Sequence, residues 1–420
     1  MDTPRPDTAI FGASPYVLAR RVQAADGRMG GKSVISATRL RAQHQSMRAT
    51  STLIRRILTG LNLGLTLGLN LGLTLGLTLG LTLGLALAAA FASPAAAKPL
   101  VVILAEPDGT VATDILAPYA ILAESGAVEV KVAAPTRQPV RLTPGHAWLS
   151  PQATLADLQS KRPDVVIVPA MADEDDPVRA AWLRAQLKRG VHLMSICNGA
   201  RVLAKAGVLD GRQATVHWFS QGRMSRQHPK VAWRRDVRWV TDGPVTTTAG
   251  ISAGEPATLD LLRRLAGEET MRATARRLSL PLPDPRHNGE DYRLTPARMA
   301  VTVANRMAIW GHEAVEIPLQ PGFDELALGT ALDGWSRTFR SSAWATGAPV
   351  TRSRRGLMVH RSRSLPSRFD RVVALPGPDV MARTFAAIGR AYGQPTARFV
   401  ALQFEHPLGL GGPPTARLAR

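Results

Sequence analysis

The sequence predicts an α/β protein built on a doubly wound, mostly parallel sheet, followed by a smaller and incomplete α/β lobe. Three observations carry this prediction. Between residues 98 and 283, short apolar runs of strand length alternate with segments of helical spacing. One of those runs ends abruptly in the corner Cys197-Asn198-Gly199. The layout of the opening strand and helix then reappears, weakened, between residues 312 and 408. Strands separated by helices are covered on both faces most economically when they run parallel in one sheet.

Residues 1–56 are polar, basic and aperiodic and read as a disordered segment, with ten Lys or Arg against three Asp. Met47 offers an alternative start, because MRATSTLIRRILTG is a more ordinary opening for an exported chain. Residues 57–97 then read as a signal peptide or a transmembrane anchor. From 61 to 85 Leu occupies every odd position and Gly stands at 64, 68, 72, 76, 80 and 84. Alternation alone suggests a strand, but the uncharged run from Ile57 to Ala92 exceeds the roughly 20 residues that cross a bilayer as a helix. Lipid favours the helix, whose backbone groups are satisfied internally. Arg55 and Arg56 precede the run and Ala95-Ala96-Ala97 closes it in the A-x-A manner of a cleavage site. The expectation is a periplasmic or secreted product, or a single-pass inner-membrane protein held through residues 57–92, with everything after 98 outside the cytoplasm.

The next elements follow in order. PLVVILAE at 99–106 suits a buried parallel strand, VATDILAPYAILAE at 111–124 a helix, and VEVKVAAP at 128–135 a second strand. A polar crossover leads to the strand DVVIVPAM at 164–171, a helix from Val178 to Lys188, and the strand VHLMSIC at 191–197. That last run delivers Cys197 to the corner, and Ala200–Ala206 continues as helix. A tight turn of this kind exposes a nucleophile, and a sulfur at the first helical turn meets unpaired amides that favour the thiolate. A small buried hydrophobe in an ordinary strand-to-helix connection fits the same local pattern.

Charge and cysteine usage exclude more than they assign. The net charge of +20 is spread along the chain, with no zinc-finger spacing, RNP-like aromatic pair or helix-turn-helix, so specific nucleic-acid binding is not expected. One cysteine rules out an intrachain disulfide and a cysteine-rich metal site. The run Asp173-Glu174-Asp175-Asp176 does not converge on one face and reads as a solvated loop or helix start. Neither a metal nor a cofactor is expected.

The stretch ICNGARVLAKAGVLDGRQATVHW, 196–218, resembles the nucleophile region of the DJ-1/PfpI family, part of the class I glutamine-amidotransferase-like superfamily. The likeness is to the branch that holds isonitrile hydratases and the ligand domains of AraC-type regulators. The family places an acid four positions before a proline in its first helix, as Asp114 and Pro118 stand here, and a histidine twenty positions after the cysteine, as His217 stands here. TTTAGISAGEPATLDLLRRLAG, 246–267, is similar to its last strand, turn and helix, so the resemblance covers residues 98–283. It implies a flavodoxin-like fold in which Cys197 is reactive or touches ligand, Asp114 moves protons, and His217 supports the sulfur or closes the pocket. Asn198 and Gly199 would then line an oxyanion site, with Ala170 and Met171 in the turn after the third strand. Two departures bear on activity. Asn198 stands where the peptidases of the family carry histidine and isonitrile hydratases usually carry threonine, which argues against proteolysis and puts isonitrile hydration in question. Pro169-Ala170-Met171 replaces a glycine-rich turn, which would narrow the pocket.

Residues 284–311 read as a linker, DPRHNGED, and a packing helix, 295–311. Residues 312–408 resemble a degenerate second copy: EAVEIPLQPGFDELALGTALDGWS repeats the first strand and helix, and RFDRVVALPGPDV echoes RPDVVIVPAMAD. Leu326 takes the approximate place of Asp114, and no cysteine follows. Residues 409–420 form a flexible tail. The whole reads as a cysteine-centred pocket for a small-molecule ligand or substrate, belonging to a hydratase or hydrolase, or else to a non-catalytic ligand-binding, redox-sensing or stress-protective protein. A homodimer is a further candidate partner.

Overall fold

The computed structural model describes residues 55–56, 58–74, 76, 97–159 and 161–410. It divides into two units, Met1–Ala96 and Ala97–Arg420. In the first, residues 58–74 form a helix, α1, whose leucines are exposed. No helix among the described residues is long and apolar enough to cross a membrane. Met47 and most of the expected span, including Ala95 and Ala96, lie outside the described residues.

The second unit begins with β1 (Leu100–Leu104), β2 (Thr110–Val111), α2 (Ala112–Ser125) and β3 (Glu129–Ala134). The stretch expected to be a plain crossover holds β4 (Val140–Thr143), β5 (Ala147–Leu149) and β6 (Ala153–Thr154). Then come β7 (Val165–Val168), α3 (Pro177–Lys188), β8 (His192–Ser195) and α4 (Gly199–Lys205). After them stand β9 (Gln213–Ala214), α5 (Trp218–Gln227), β10 (Ala232–Trp233), β11 (Trp239–Asp242), β12 (Val245–Thr248) and α6 (Gly254–Leu278).

These strands form a seven-stranded sheet in the order β11-β12-β8-β7-β1-β3-β6, parallel except where β11 meets β12. All four residues of β7 are buried, as befits a central parallel strand covered on both faces. Asp176 caps α3 through the Val178 amide and Pro177 opens the helix, while Glu174 pairs with Arg201 and Asp175 with Lys205. The acidic run is therefore used up in a cap and in ion pairs.

The remaining chain supplies α7 (Pro296–Met307), β13 (Glu313–Leu319), α8 (Glu325–Ser336), β14 (Ser341–Gly347), β15 (Val350–Arg352) and β16 (Met358–His360). It ends with β17 (Arg371–Val372), α9 (Val380–Tyr392) and α10 (Gln394–Gln403). The order β14-β13-β17 reproduces β3-β1-β7, parallel at every pairing. The hairpins β4–β5 and β15–β16 also correspond, and they meet where β16 pairs antiparallel with β5, Val359 opposite Leu149. The equivalent helices α2 and α8 pack on each other. Equivalent elements meeting each other in this way is the signature of a local two-fold relation, here within one chain.

The 312–408 segment shares a five-stranded sheet, β15-β16-β5-β4-β2, with the first half. The linker is docked on the first half: the Arg238 amide donates to the Pro285 carbonyl, and Val237 bridges Arg286. The apolar side of α7 does not pack inward. It is Asn305 that is buried, donating to the Thr338 carbonyl, while Met299, Val303 and Met307 face out and Trp310 is 95 % exposed.

Candidate functional site

β8 and the start of α4 make the corner expected of them. Cys197 sits there at φ 56, a left-handed conformation that costs energy for a side chain with a Cβ. Its amide donates to Thr248 Oγ1 on neighbouring β12 at 3.1 Å, which fixes the turn from the side. Gly199 is required for a different reason. A Cβ there would lie 1.9 Å from the Val168 carbonyl oxygen, so only glycine lets α4 start against the end of β7.

Cys197 is 4 % exposed. Burial and then the Asp114 carboxyl push the thiol's pKa well up, with Arg337 and the Asn198 amide pulling it down. The helix-end amides that would favour a thiolate are outweighed here by desolvation of the buried sulfur.

Asp114, in the first turn of α2, is 1 % exposed. Its Oδ2 accepts from the Ala170 amide at 3.1 Å, and its Oδ1 has no partner. Burial, and then Asp333 beside it, raises its pKa well above the ordinary carboxylate value, which favours the protonated form; the Ala170 amide and Arg337 oppose the shift. Asp333 and Arg337 come from α8 and its C-cap, in the second half. Asp333 is fully buried, accepts from the Thr113 amide at 3.0 Å, and lies 3.6 Å from an Arg337 Nη.

The other expected residues divide. The Ala170 amide is taken by Asp114, and the Gly199 amide donates to the Ile196 carbonyl at 2.8 Å, so neither is free for an oxyanion. Met171 bridges Thr110 and packs in the hydrophobic cluster with Val168 and Ala200, a different cluster from the one that holds Cys197. The Asn198 amide points to the sulfur, and Asn198 Oδ1 is buried without a partner. His217 does not turn to the cysteine. Its Nδ1 accepts from the Phe219 amide as the cap of α5, so Nε2 carries the proton and donates to the Gln403 carbonyl at 2.9 Å. Burial holds this imidazole below its usual pKa, in the neutral form that both bonds require.

The end of α10 thus closes the site. Glu405, at φ 57, accepts from the Trp218 amide through Oε2 and lies 2.7 Å from His287 Nε2 through Oε1. A cavity of about 300 Å³ opens beside it, lined by Trp218, Phe219, Gln221, His287 and Tyr292. Cys197 does not line that cavity; Glu405 lines it and also acts electrostatically on the cysteine. Asp333, Arg337 and Glu405 were missed by the sequence reading, which compared α8 with α2 at Leu326 only. Asp333 and Arg337 lie seven and eleven positions on, along the same helical face, and an acid in the apolar stretch TALDGW was the available signal.

Residues 99–264 match the sequence profile of the DJ-1/PfpI family. The HTH-type transcriptional regulator CdhR of Pseudomonas aeruginosa is 37 % identical over 93 residues, 22 % of this chain and 27 % of that protein. The isonitrile hydratase of Pseudomonas putida is 31 % identical over 161 residues, 37 % of this chain and 68 % of that protein. Among solved structures, DJ-1beta of Drosophila melanogaster has 24 % identity and a TM-score of 0.40, over 44 % of this chain and 99 % of that one. The chain therefore spans about a quarter of the regulator and about two thirds of the hydratase.

Proposed function

The chain belongs to the DJ-1/PfpI family, and from that premise we propose that it is a hydratase- or hydrolase-like protein in which Cys197 and Asp114 act on a small electrophile. The observation that carries the reading is Asp114, a buried carboxyl with one unpartnered oxygen whose burial favours the protonated form, acting electrostatically on a cysteine on a strained elbow. The sulfur would bond to the electrophilic carbon of an isonitrile-like or carbonyl substrate. Asp114 would give its proton to the atom that gains the electron pair and take the thiol's proton in return, and water would then displace the sulfur. The Asn198 amide is the donor left to steady the developing charge.

A second reading draws support from the closure by Gln403 and Glu405 and from the small exposure of Cys197: a ligand-binding or redox-sensing pocket without turnover. One experiment separates the two. A panel of isonitriles and reactive aldehydes is assayed with the full chain, Cys197→Ser and Asp114→Asn, alongside iodoacetamide alkylation across pH. Catalysis predicts a turnover loss of about a hundredfold or more in both variants. Where Asp114 is ionised, Asp114→Asn is also expected to alkylate faster than wild type, because a negative neighbour of the thiolate is gone. Wild-type turnover no greater than that of Cys197→Ser rejects the enzyme reading.

For location we propose a periplasmic or secreted product, or one anchored in the inner membrane with the second unit outside the cytoplasm. Support comes from Arg55-Arg56 ahead of the apolar run and Ala95-Ala96-Ala97 after it. Alkaline phosphatase fused after Lys98 is expected to be active in cells, and an inactive, stable fusion would place the unit in the cytoplasm.

A further inference from the structure

The polar atoms near Cys197 form a set that crosses the two halves. From α2 comes Asp114 Oδ1 and from the elbow Asn198 Oδ1, both buried without a hydrogen-bond partner, and from the second half comes Asp333, whose Oδ1 faces an Arg337 Nη at 3.6 Å. The two carboxyls are each fixed at their other oxygen by a backbone amide, Asp114 by Ala170 and Asp333 by Thr113. Thr113 adjoins Asp114, so the same turn of α2 that presents Asp114 also grips Asp333. Close approach of the helices permits this: a Cβ on Gly329 would stand 3.1 Å from Thr113 Cα. An unpaired buried polar atom is costly, so the free oxygen of Asp114, in the same turn of α2 that holds the Asp333–Arg337 pair, marks a polar contact between the halves rather than plain packing.

We infer that the second half completes the Cys197 site, with Asp333 and Arg337 as positioning residues that govern where the proton of Asp114 and Cys197 resides. The inference rests on the reading of Cys197 and Asp114 as the working pair. The charged and titratable groups around that pair are Asp333 and Arg337 on the α8 side and His217 and Glu405 on the side of α5 and α10. Asp333 makes ionisation of Asp114 unfavourable and so keeps it an acid, burial having already raised it. Arg337 works in the opposite sense on both Asp114 and Cys197, offsetting the charge left when either loses a proton. The first half alone would lack both influences, which gives the degenerate copy a part in the site although it has no cysteine of its own.

The test is infrared difference spectroscopy of the full chain, following the protonated carboxyl band that disappears in Asp114→Asn. Asp333→Asn keeps an acceptor for the Thr113 amide and is expected to lower the pH midpoint of that band by about one unit, a tenfold change in the protonation equilibrium. Arg337→Met is expected to raise the midpoint by a similar amount, and Arg337→Lys to restore it. Opposite shifts from two neighbouring substitutions cannot come from general loosening. A midpoint that stays put in every variant, or moves the same way in both, overturns the inference; if Arg337→Met does not fold, Asp333→Asn and Arg337→Lys decide it. Alkylation of the same samples keeps the two readings apart. Band shifts as expected with a thiol that stays inert wherever the chain is folded would leave the pair standing and remove the nucleophile, whereas a reactive thiol with an unmoved band would do the reverse.

Discussion

At the scale of single residues, desolvation dominates the chemistry of this chain, and its sign differs between acids and bases. Glu255, at the start of α6, is buried with Oε1 unpartnered, and burial pushes it up to about 7 against the pull of Arg238. An unfolded glutamate titrates near 4.5. Between those values the native state holds a proton that the unfolded chain has released, so stability falls as pH rises from 4.5 to 7. His192 and His406 act oppositely. Burial holds both near 4 against 6.5 in the unfolded chain, which takes up protons first as pH falls, so their contribution is present above 6.5 and is lost on the way down to 4. The two effects oppose each other between 4.5 and 6.5. In Glu255→Gln the acid's share is removed, and the urea midpoint is expected to climb with pH more steeply than in wild type over that range. It should then hold level up to pH 7, where the wild type declines. Curves that run parallel would mean that Glu255 ionises no differently in the folded state.

At the scale of elements, what the sequence disclosed and what it hid have physical causes. β1, α2, β3, β7, α3, β8 and α4 were legible because each is a continuous apolar run or a helical period bounded by turn chemistry, and the Cys197 corner was legible because glycine follows at the one point where a Cβ cannot fit. β4, β5, β15 and β16 were not, since each is only three or four residues long, and the sheet that holds them is completed by a distant pairing, as of Leu149 with Val359. The amphipathic α7 misled in another way: its pattern shows two unlike faces, but pattern alone does not say which one turns inward, and the buried Asn305 is held by Thr338. The cysteine and the acid of α2 could be found by position. The partners from α8 and α10 could not, because whether two helices touch is a property of the assembled halves.

At the scale of the whole second unit, the same seam governs stability. Arg355, nearly buried, reaches Glu124 at the end of α2 at 2.8 Å and also Asp324 and Glu325 at the start of α8. Tyr119 of α2 donates to the Arg355 carbonyl at 3.0 Å, and the shared five-stranded sheet runs alongside. With a sheet, a helix pair and a buried ion cluster all crossing from one half to the other, neither half can lose its order while the other keeps its own. The face of α2 that packs on α8 is not available to a second copy, so a homodimer would have to use another surface. Urea unfolding is therefore expected to be a single transition, with tryptophan fluorescence and far-ultraviolet circular dichroism superimposable. Arg355→Met would strand the fully buried Glu325 beside two other carboxylates and is expected to cost about 3 kcal/mol, shifting both signals together. If the two probes separated in wild type, or only one of them moved in Arg355→Met, the halves would be folding as independent bodies, and a site assembled from both could not hold its geometry.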